Sequence, residues 1–440
     1  MKIVLVTLFF PPTNSIASLR LYSFAKQWEK EGHEITIITF PKNDKDNYDL
    51  NLDIKNFKII EMYSIFNSIQ NFYRKKIKKN FTSNVTSAST NKNNYISTLK
   101  NRFLNFIKNK FIQISHKKGI LGIYRMPDPK DFWIRKASKF ITNEIKPDLI
   151  VSSCGPYSTH LVAYFAKRKN KNIKWIADYR DLWTSNPFYS GIFPFNRVEK
   201  IIEKYILKKA NLITTVSHGL KNELEIMLDQ NVYVVENGFD EDDSKNISNT
   251  PFYPNDDIIR LIYTGTIYEK YYQSIELLFN LIAESVKIKP LLKINLIFYS
   301  KYSPTLESLI KKHNLSNYVF QSGYLSREEC LMAQRDSTIN ILLGLNDYKF
   351  NGVLSGKIFE YIYSKTPILC INYNTNSEIF KIFKDTNAIY TNINSINEFS
   401  LFNKKLLEYK SINKKEFSEN EFPYSRATLA SNLLKKALTT

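Results

Sequence analysis

Short runs of apolar, often β-branched residues alternate with stretches whose apolar residues recur at helical spacing, and this alternation runs through most of the chain. It points to parallel strands joined by crossover helices, because each helix carries the chain back to the same edge of the sheet. Residues 3–9 read as a buried strand, Ile16, Leu19, Tyr22, Phe24 and Trp28 as a helical stripe ended by Gly32, and residues 34–40 as the next strand. After an insertion rich in Lys and Asn the pattern resumes. It gives helix 133–145, strand 148–153, helix 157–169, strand 173–177, helix 195–209, strand 212–216, a helix capped by Ser217, and strand 232–235. A polar, aperiodic stretch with Pro251 and Pro254 follows, then strands at 258–263, 294–299, 338–343, 367–371 and 388–390. At 440 residues the chain is long for one core. The expectation is an α/β protein of two doubly wound, Rossmann-like domains: 1–240, a linker over 241–257, then 258–424. A final helix over 425–440 can pack back on the first domain.

Hydrophobic residues make up 43% and charged residues 24% of the chain, a balance that fits a globular fold and excludes a disordered or fibrous one. No stretch has the roughly 20 uninterrupted apolar residues of a spanning helix. The apolar start runs directly into Pro11 and Pro12 without a small-residue cleavage site, so it reads as a strand and not as a leader. Cys154, Cys330 and Cys370 lie far apart, which suits reduced thiols in a cytoplasmic protein better than disulfides or a metal site.

The net charge of +20 is unevenly placed. From Met62 to Pro127 there are ten Lys, three Arg and no Asp or Glu. Finger spacings, RNP-type strings and base-reading helices are missing from the sequence, which makes nucleic acid an unlikely partner. An anionic membrane surface is the better one, at about 1 kcal/mol per cation. Leu99, Phe103, Phe106, Ile107, Phe111 and Ile114 recur at helical spacing in this segment and can add apolar insertion. The plainer alternative is a helix packed on its own domain beside a polar linker.

Three segments carry candidate chemistry. In Ser355-Gly356-Lys357-Ile358-Phe359-Glu360, Lys357 and Glu360 are three apart and share one face of a helix that stops before Pro367. Asp178-Tyr179-Arg180-Asp181-Leu182-Trp183 follows a buried strand, where ligands of open α/β sheets gather. It can orient a hydroxyl, or it can form a salt network at the base of the loop. Tyr263-Thr264-Gly265-Thr266 leads from a strand into a loop with Lys270, and Gly265 lets backbone amides approach a phosphate. His160 and His218 read as ordinary surface or helix-end histidines. Asp242-Asp243 and Asp256-Asp257 read as solvated linker acids.

Together these segments resemble the GT-B glycosyltransferases, in particular the family-4-like group that works on bacterial surface glycans, and the resemblance covers most of the chain apart from the basic insertion. The string from Ser355 to Leu369 resembles that group's S-x-K-x-F-E-Y…P-I-L signature, Asp178 to Trp183 its D-x-R-D-x-W segment, and residues 10–20 its first loop. The resemblance implies two domains facing a cleft and transfer of a sugar from a UDP- or GDP-linked donor, with retention and without a metal ion or other cofactor. The acceptor would be a lipid-linked or glycan molecule of O-antigen or capsule assembly, met at the inner face of the cytoplasmic membrane. Glu360 would hold the donor ribose. Gly265, Thr266, Lys270, Ser355 and Lys357 would hold the diphosphate, Asp178, Arg180 and Asp181 would serve catalysis, and Ser15 and Arg20 would face the acceptor. The chain departs from the pattern in four places. Ser15 and Ala17 replace paired glycines, Thr266 stands where an arginine is common, no histidine accompanies the Asp178 segment, and Gly352 stands where the motif has its earlier Glu. These departures leave two rivals: a catalytically degenerate GT-B protein that binds membrane or nucleic acid, and a sugar-nucleotide epimerase of the same fold.

Overall fold

Strand β1 (Lys2–Val6) sends Ile3 and Leu5 to one face of its sheet and Val4 and Val6 to the other, and all four are fully buried. That two-sided burial requires helices on both faces, as the sequence predicts. The computed structural model describes residues 1–13, 15–41, 50, 52–62, 133–186, 193–245, 247–347, 352, 354–412 and 423–440. Apart from Met62, the basic segment 62–127 lies outside the described residues.

The first sheet joins β1 to β2 (Glu34–Thr39), β3 (Lys58–Glu61), β4 (Leu149–Ser153), β5 (Lys174–Tyr179), β6 (Leu212–Thr215) and β7 (Val232–Val234) in the order β3-β2-β1-β4-β5-β6-β7, all parallel. Its described helices are α1 (Ile16–Lys30), α2 (Ile134–Phe140, continued by a wider turn over Ile141–Ile145), α3 (Ser158–Lys169), α4 (Phe195–Leu207) and α5 (His218–Leu228). The second sheet, also parallel, has the order β10-β9-β8-β11-β12-β13. Its strands are β8 (Ile259–Thr264), β9 (Ile294–Tyr299), β10 (Val319–Gln321), β11 (Ile339–Leu343), β12 (Ile368–Ile371) and β13 (Tyr390–Ile393). Helices α6 (Tyr272–Ile288), α7 (Pro304–Lys312), α8 (Arg327–Asp336), α9 (Lys357–Tyr363), α10 (Ile379–Asp385) and α11 (Phe399–Lys410) cover it. Leu369 and Ile371 of β12 enter one apolar cluster, and Ile368 and Cys370 enter the other.

Three differences from the expected elements have local causes. The first strand stops at Val6, because Thr7 Oγ1 donates to Phe9 O (3.1 Å) and accepts from Phe9 N (3.0 Å), which folds the chain into a turn. The last strand starts at Tyr390, because Asn387 is left-handed at φ +52° after α10. The short edge strands β3 and β10 have no apolar run long enough to stand out.

The final helix, α12 (Arg426–Thr439), lies against α1. Trp28 Nε1 donates to Ala430 O at 2.9 Å, and Ala430, Leu433, Leu434 and Ala437 complete the apolar layer that holds Ile3 and Leu5. The chain therefore passes between the two sheets twice. The two passages pair where they meet: Phe239 N donates to Tyr424 O and Arg426 N to Phe239 O, both at 2.9 Å.

Candidate active site in the cleft

In each sheet the strand order reverses beside one strand, between β1 and β4 and between β8 and β11. A crevice opens at the carboxyl ends of the strands at such a reversal, and there ligands collect. The segments singled out in the sequence lie at these two crevices.

On the second sheet, β8 runs into Gly265, which is held at φ +101°. A Cβ placed there would lie 2.9 Å from Lys357 Cε, so glycine is what lets the lysine lie across this backbone. Lys357, the first residue of α9, reaches back over the ring of Tyr263, with Nζ 3.9 Å from the centroid, and donates to Tyr263 Oη at 2.7 Å. Tyr263 in turn donates to the carbonyl of Thr266 at 2.8 Å. Burial outweighs the attraction of Glu360 and pushes the ammonium of Lys357 down to about 8. An ammonium so placed gains from any anion that joins it. Ser355 sits two residues before Lys357, and Thr266 Oγ1 lies 3.4 Å from Tyr324 Oη.

Glu360 turns to other partners than its neighbour on the helix. Arg327 donates to Oε1, and Gln334 donates to Oε2 at 3.1 Å. Burial alone would raise this carboxyl. Arg327 and Gln334 outweigh it and hold the group below its ordinary value. Arg327 also donates to Asp243 at 2.7 Å. A carboxylate has about four acceptor sites, so Glu360 keeps capacity for ribose hydroxyls after these two bonds. Arg327, Gln334 and Asp243 were not legible as site residues; the signal available for the first two is the box by which Ser326 and Glu329 cap α8. Three of the four linker acids are paired as well as partly or largely exposed. Asp243 pairs with Arg327, Asp242 with Lys26, Lys30 and Lys245, and Asp256 with Arg260. Asp257 is exposed, as the sequence suggests, and its carboxylate makes a long contact to Lys410 at 3.5 Å.

On the first sheet, Asp178 and Arg20 form a closed pair. Arg20 donates to Asp178 through Nη2 (2.8 Å) and Nε (3.2 Å) and to Glu236 O through Nη1 (2.8 Å). Thr214 Oγ1 and Ser153 Oγ add two more bonds to Asp178, and both members of the pair are shut off from solvent. Burial would raise this carboxyl, but Arg20 and Thr214 hold it low. The geometry gives the pair an architectural part, joining α1 to the middle of the sheet. Arg180 is half-buried, donates to Ser153 Oγ (3.1 Å) and Cys154 O (2.8 Å), and stacks over Phe9. Asp181 is exposed at the rim. Its charge is felt by Lys270 of the second domain, whose ammonium burial lowers and Asp181 opposes. His160 is neither surface nor free: it is fully buried, bonded to Ser152 Oγ at 2.7 Å and stacked on Tyr179, and burial pushes it down to about 3.

Among the described residues, contacts between the two domains include the following. Ser15 caps α1 by accepting from Ser18 N (3.1 Å), and the next residue, Ile16, meets Gly356, where a Cβ would lie 2.8 Å from Ile16 Cδ1. Gly352 packs on Gly219, with a Cβ at Gly352 only 2.7 Å from Gly219 Cα, and Ser217 Oγ donates to Gly352 O at 2.6 Å. The earlier Glu of the motif is therefore absent where backbone meets backbone. A different carboxylate arrives nearby: Glu378 accepts from His218 N (2.7 Å) and Gly219 N (3.0 Å) at the start of α5.

Residues 110–243 match the model of Glycosyltransferase Family 4. That match covers under a third of the chain, and together with the paired parallel sheets it supports a glycosyltransferase of the GT-B fold. The whole chain takes the fold of the sucrose-phosphate synthase from Thermosynechococcus elongatus, at TM-score 0.63 and 12% identity over 100% of this chain and 98% of that one. It is similar also to S. aureus TarM, solved with fondaparinux, alpha-GlcNAc-glycerol and UDP, at TM-score 0.57 and 12% identity over 99% of both chains. A UDP-N-acetylglucosamine 2-epimerase shares the fold at TM-score 0.53 and 13% identity over 100% of this chain and 95% of that one. At such identities the likeness speaks for the fold alone. No curated protein matches the sequence.

Proposed function

We propose that the protein moves a sugar from a UDP- or GDP-linked donor to a membrane-associated glycan or lipid-linked acceptor in envelope polysaccharide assembly. The observation that carries this reading is the pairing of Lys357 over Gly265 with Glu360 on the same short helix. One group suits a diphosphate and the other a ribose, and they stand at the crevice of the second sheet. In the proposed reaction Glu360 accepts from the ribose hydroxyls, and the amides around Gly265 take the diphosphate with Lys357 and Lys270. These cations stabilise the negative charge that grows on the leaving diphosphate without help from a metal ion. Arg180 and Asp181 at the opposite rim position the acceptor, and closure of the cleft removes water and aligns the two substrates. We assign the transfer to the retaining type. The basic segment 62–127 brings the protein to the inner face of the cytoplasmic membrane.

Calorimetry with UDP, GDP and uridine, followed by a screen of nucleotide sugars for slow hydrolysis, tests the reading. The expected result is tighter binding of one diphosphate than of its nucleoside, and nucleoside diphosphate released from one donor. Release of an epimerised sugar nucleotide would make the protein an epimerase, and no binding of any donor would make it a non-catalytic relative.

A further inference from the structure

We propose that the outer face of α4 is a membrane-docking surface that inserts into an anionic bilayer. Helix α4 differs from an ordinary surface helix in where its acids and part of its apolar residues point. Its two acids point inward: Glu203 is fully buried and accepts from Tyr179 Oη (2.9 Å) and Thr184 N (3.1 Å), and Glu199 is buried as well. Ile206 and Leu207 at its end face the core, but a second apolar stripe points outward, with Val198 50%, Ile201 68% and Tyr205 60% exposed, three to four residues apart. Phe193 and Phe195 extend the stripe at the start of the helix, with exposures of 68% and 55%.

An apolar stripe of this kind, turned to water, marks a contact surface. The charges around it say which kind. Arg197, Lys200 and Lys204 form the adjoining stripe of α4, and Arg168 and Lys169 are exposed on the neighbouring α3, where Phe165 is also exposed. Tyr205 bridges the two helices through Tyr164, with ring centroids 6.2 Å apart. Among the described residues of α3 and α4, every exposed ionisable side chain is basic. Apolar and aromatic side chains flanked by cations, with the acids hidden, fit a helix lying in the headgroup region of a bilayer that carries negative lipids. A protein partner of ordinary composition would be met by both signs of charge.

This inference extends the membrane reading given above but rests on a different surface from the basic segment 62–127, and the two are separable by salt. Attraction of that segment is electrostatic and weakens as salt screens it, whereas insertion of α4 persists. The full chain is sedimented with vesicles of phosphatidylcholine containing about 30% phosphatidylglycerol, at low salt and at about 0.5 M salt. Wild type is expected to keep part of its binding at high salt. Changing Val198, Ile201 and Tyr205 together to Ser should lower that part about tenfold or more, while thermal unfolding stays near wild type because the three side chains are exposed. Changing Lys75, Lys76, Lys78 and Lys79 to Gln should reduce binding at low salt only. As a second readout, Ile201→Trp should be quenched by brominated lipid, because the native Trp28, Trp133, Trp175 and Trp183 are all fully buried. The proposal is overturned if the triple variant binds like wild type at high salt, or if wild type keeps no binding there. It is equally overturned if the added Trp is not quenched, or if the triple variant changes the oligomeric state and leaves vesicle binding intact.

Discussion

Two charged clusters stand at the carboxyl ends of strands in this molecule, and they are built in opposite ways. Around Asp178 every donor is internal: Arg20, Ser153 and Thr214 surround a carboxylate that solvent does not reach. Around Lys357 the protein supplies a phenol and a ring, and the ammonium is left weaker than an ordinary lysine. A charge whose partners are all within the fold serves the fold. A cation whose protein partners are a phenol and a ring is suited to take an anion, which is the role proposed for Lys357.

The largest effect that would break this contrast is on stability. Removing one member of a buried ion pair strands the other, at about 3–5 kcal/mol. Asp178→Ala is therefore expected to lower the free energy of urea unfolding by about that much, and a loss below 1 kcal/mol would move Asp178 out of the scaffold. Lys357→Ala should do the reverse, leaving unfolding nearly unchanged while UDP or GDP loses about 1.5–3 kcal/mol of binding by calorimetry. Uridine should lose little, because the missing partner is the phosphate; equal losses for both ligands would point to damage elsewhere. Acidity sharpens the point. Binding of a diphosphate favours the charged ammonium, so affinity should fall as pH rises past about 8, with a slope of at most tenfold per unit. In Lys357→Gln that slope should vanish, and if it survives another group is responsible. The smallest effect is expected at the contact between domains. Glu378→Gln removes a carboxylate from a helix N-terminus, worth about 0.3–1 kcal/mol. It should raise cleavage by protease in the segments joining the sheets, and an unchanged digestion rate would assign Glu378 no part in holding the cleft.

Much of the architecture was legible because both sheets are buried on two faces, so their central strands read as unbroken apolar runs. Gly265 and Lys357 were legible for a related reason: a glycine after a strand and a lysine at a helix start are each local signals. The partners of Glu360 were not. Arg327 meets Asp243 across 84 residues of chain, and Glu378 reaches His218 N across 160. No local pattern carries such pairings: Arg327 and Gln334 reach Glu360 from another helix of the second domain, and Glu378 meets α5 only when the second domain is set against the first. Asp243 looked solvated for the same reason. His160 was misjudged because a histidine on a helix gives no sign of which side faces the sheet, and here that side holds Ser152 and Tyr179.

The paired passages at Phe239 and Ser425 have a mechanical consequence. A single covalent tether lets one body twist, slide and bend against another. Two strands clasped at one point act as a door hinge: rotation about the clasp stays easy, while torsion and translation must tear hydrogen bonds. Because the second strand ends in α12, buried against α1, the returning tail is the fixed leaf of that hinge. A chain cut before Tyr424 would lose the clasp that sets this axis, together with the apolar layer that α12 lays over the first sheet.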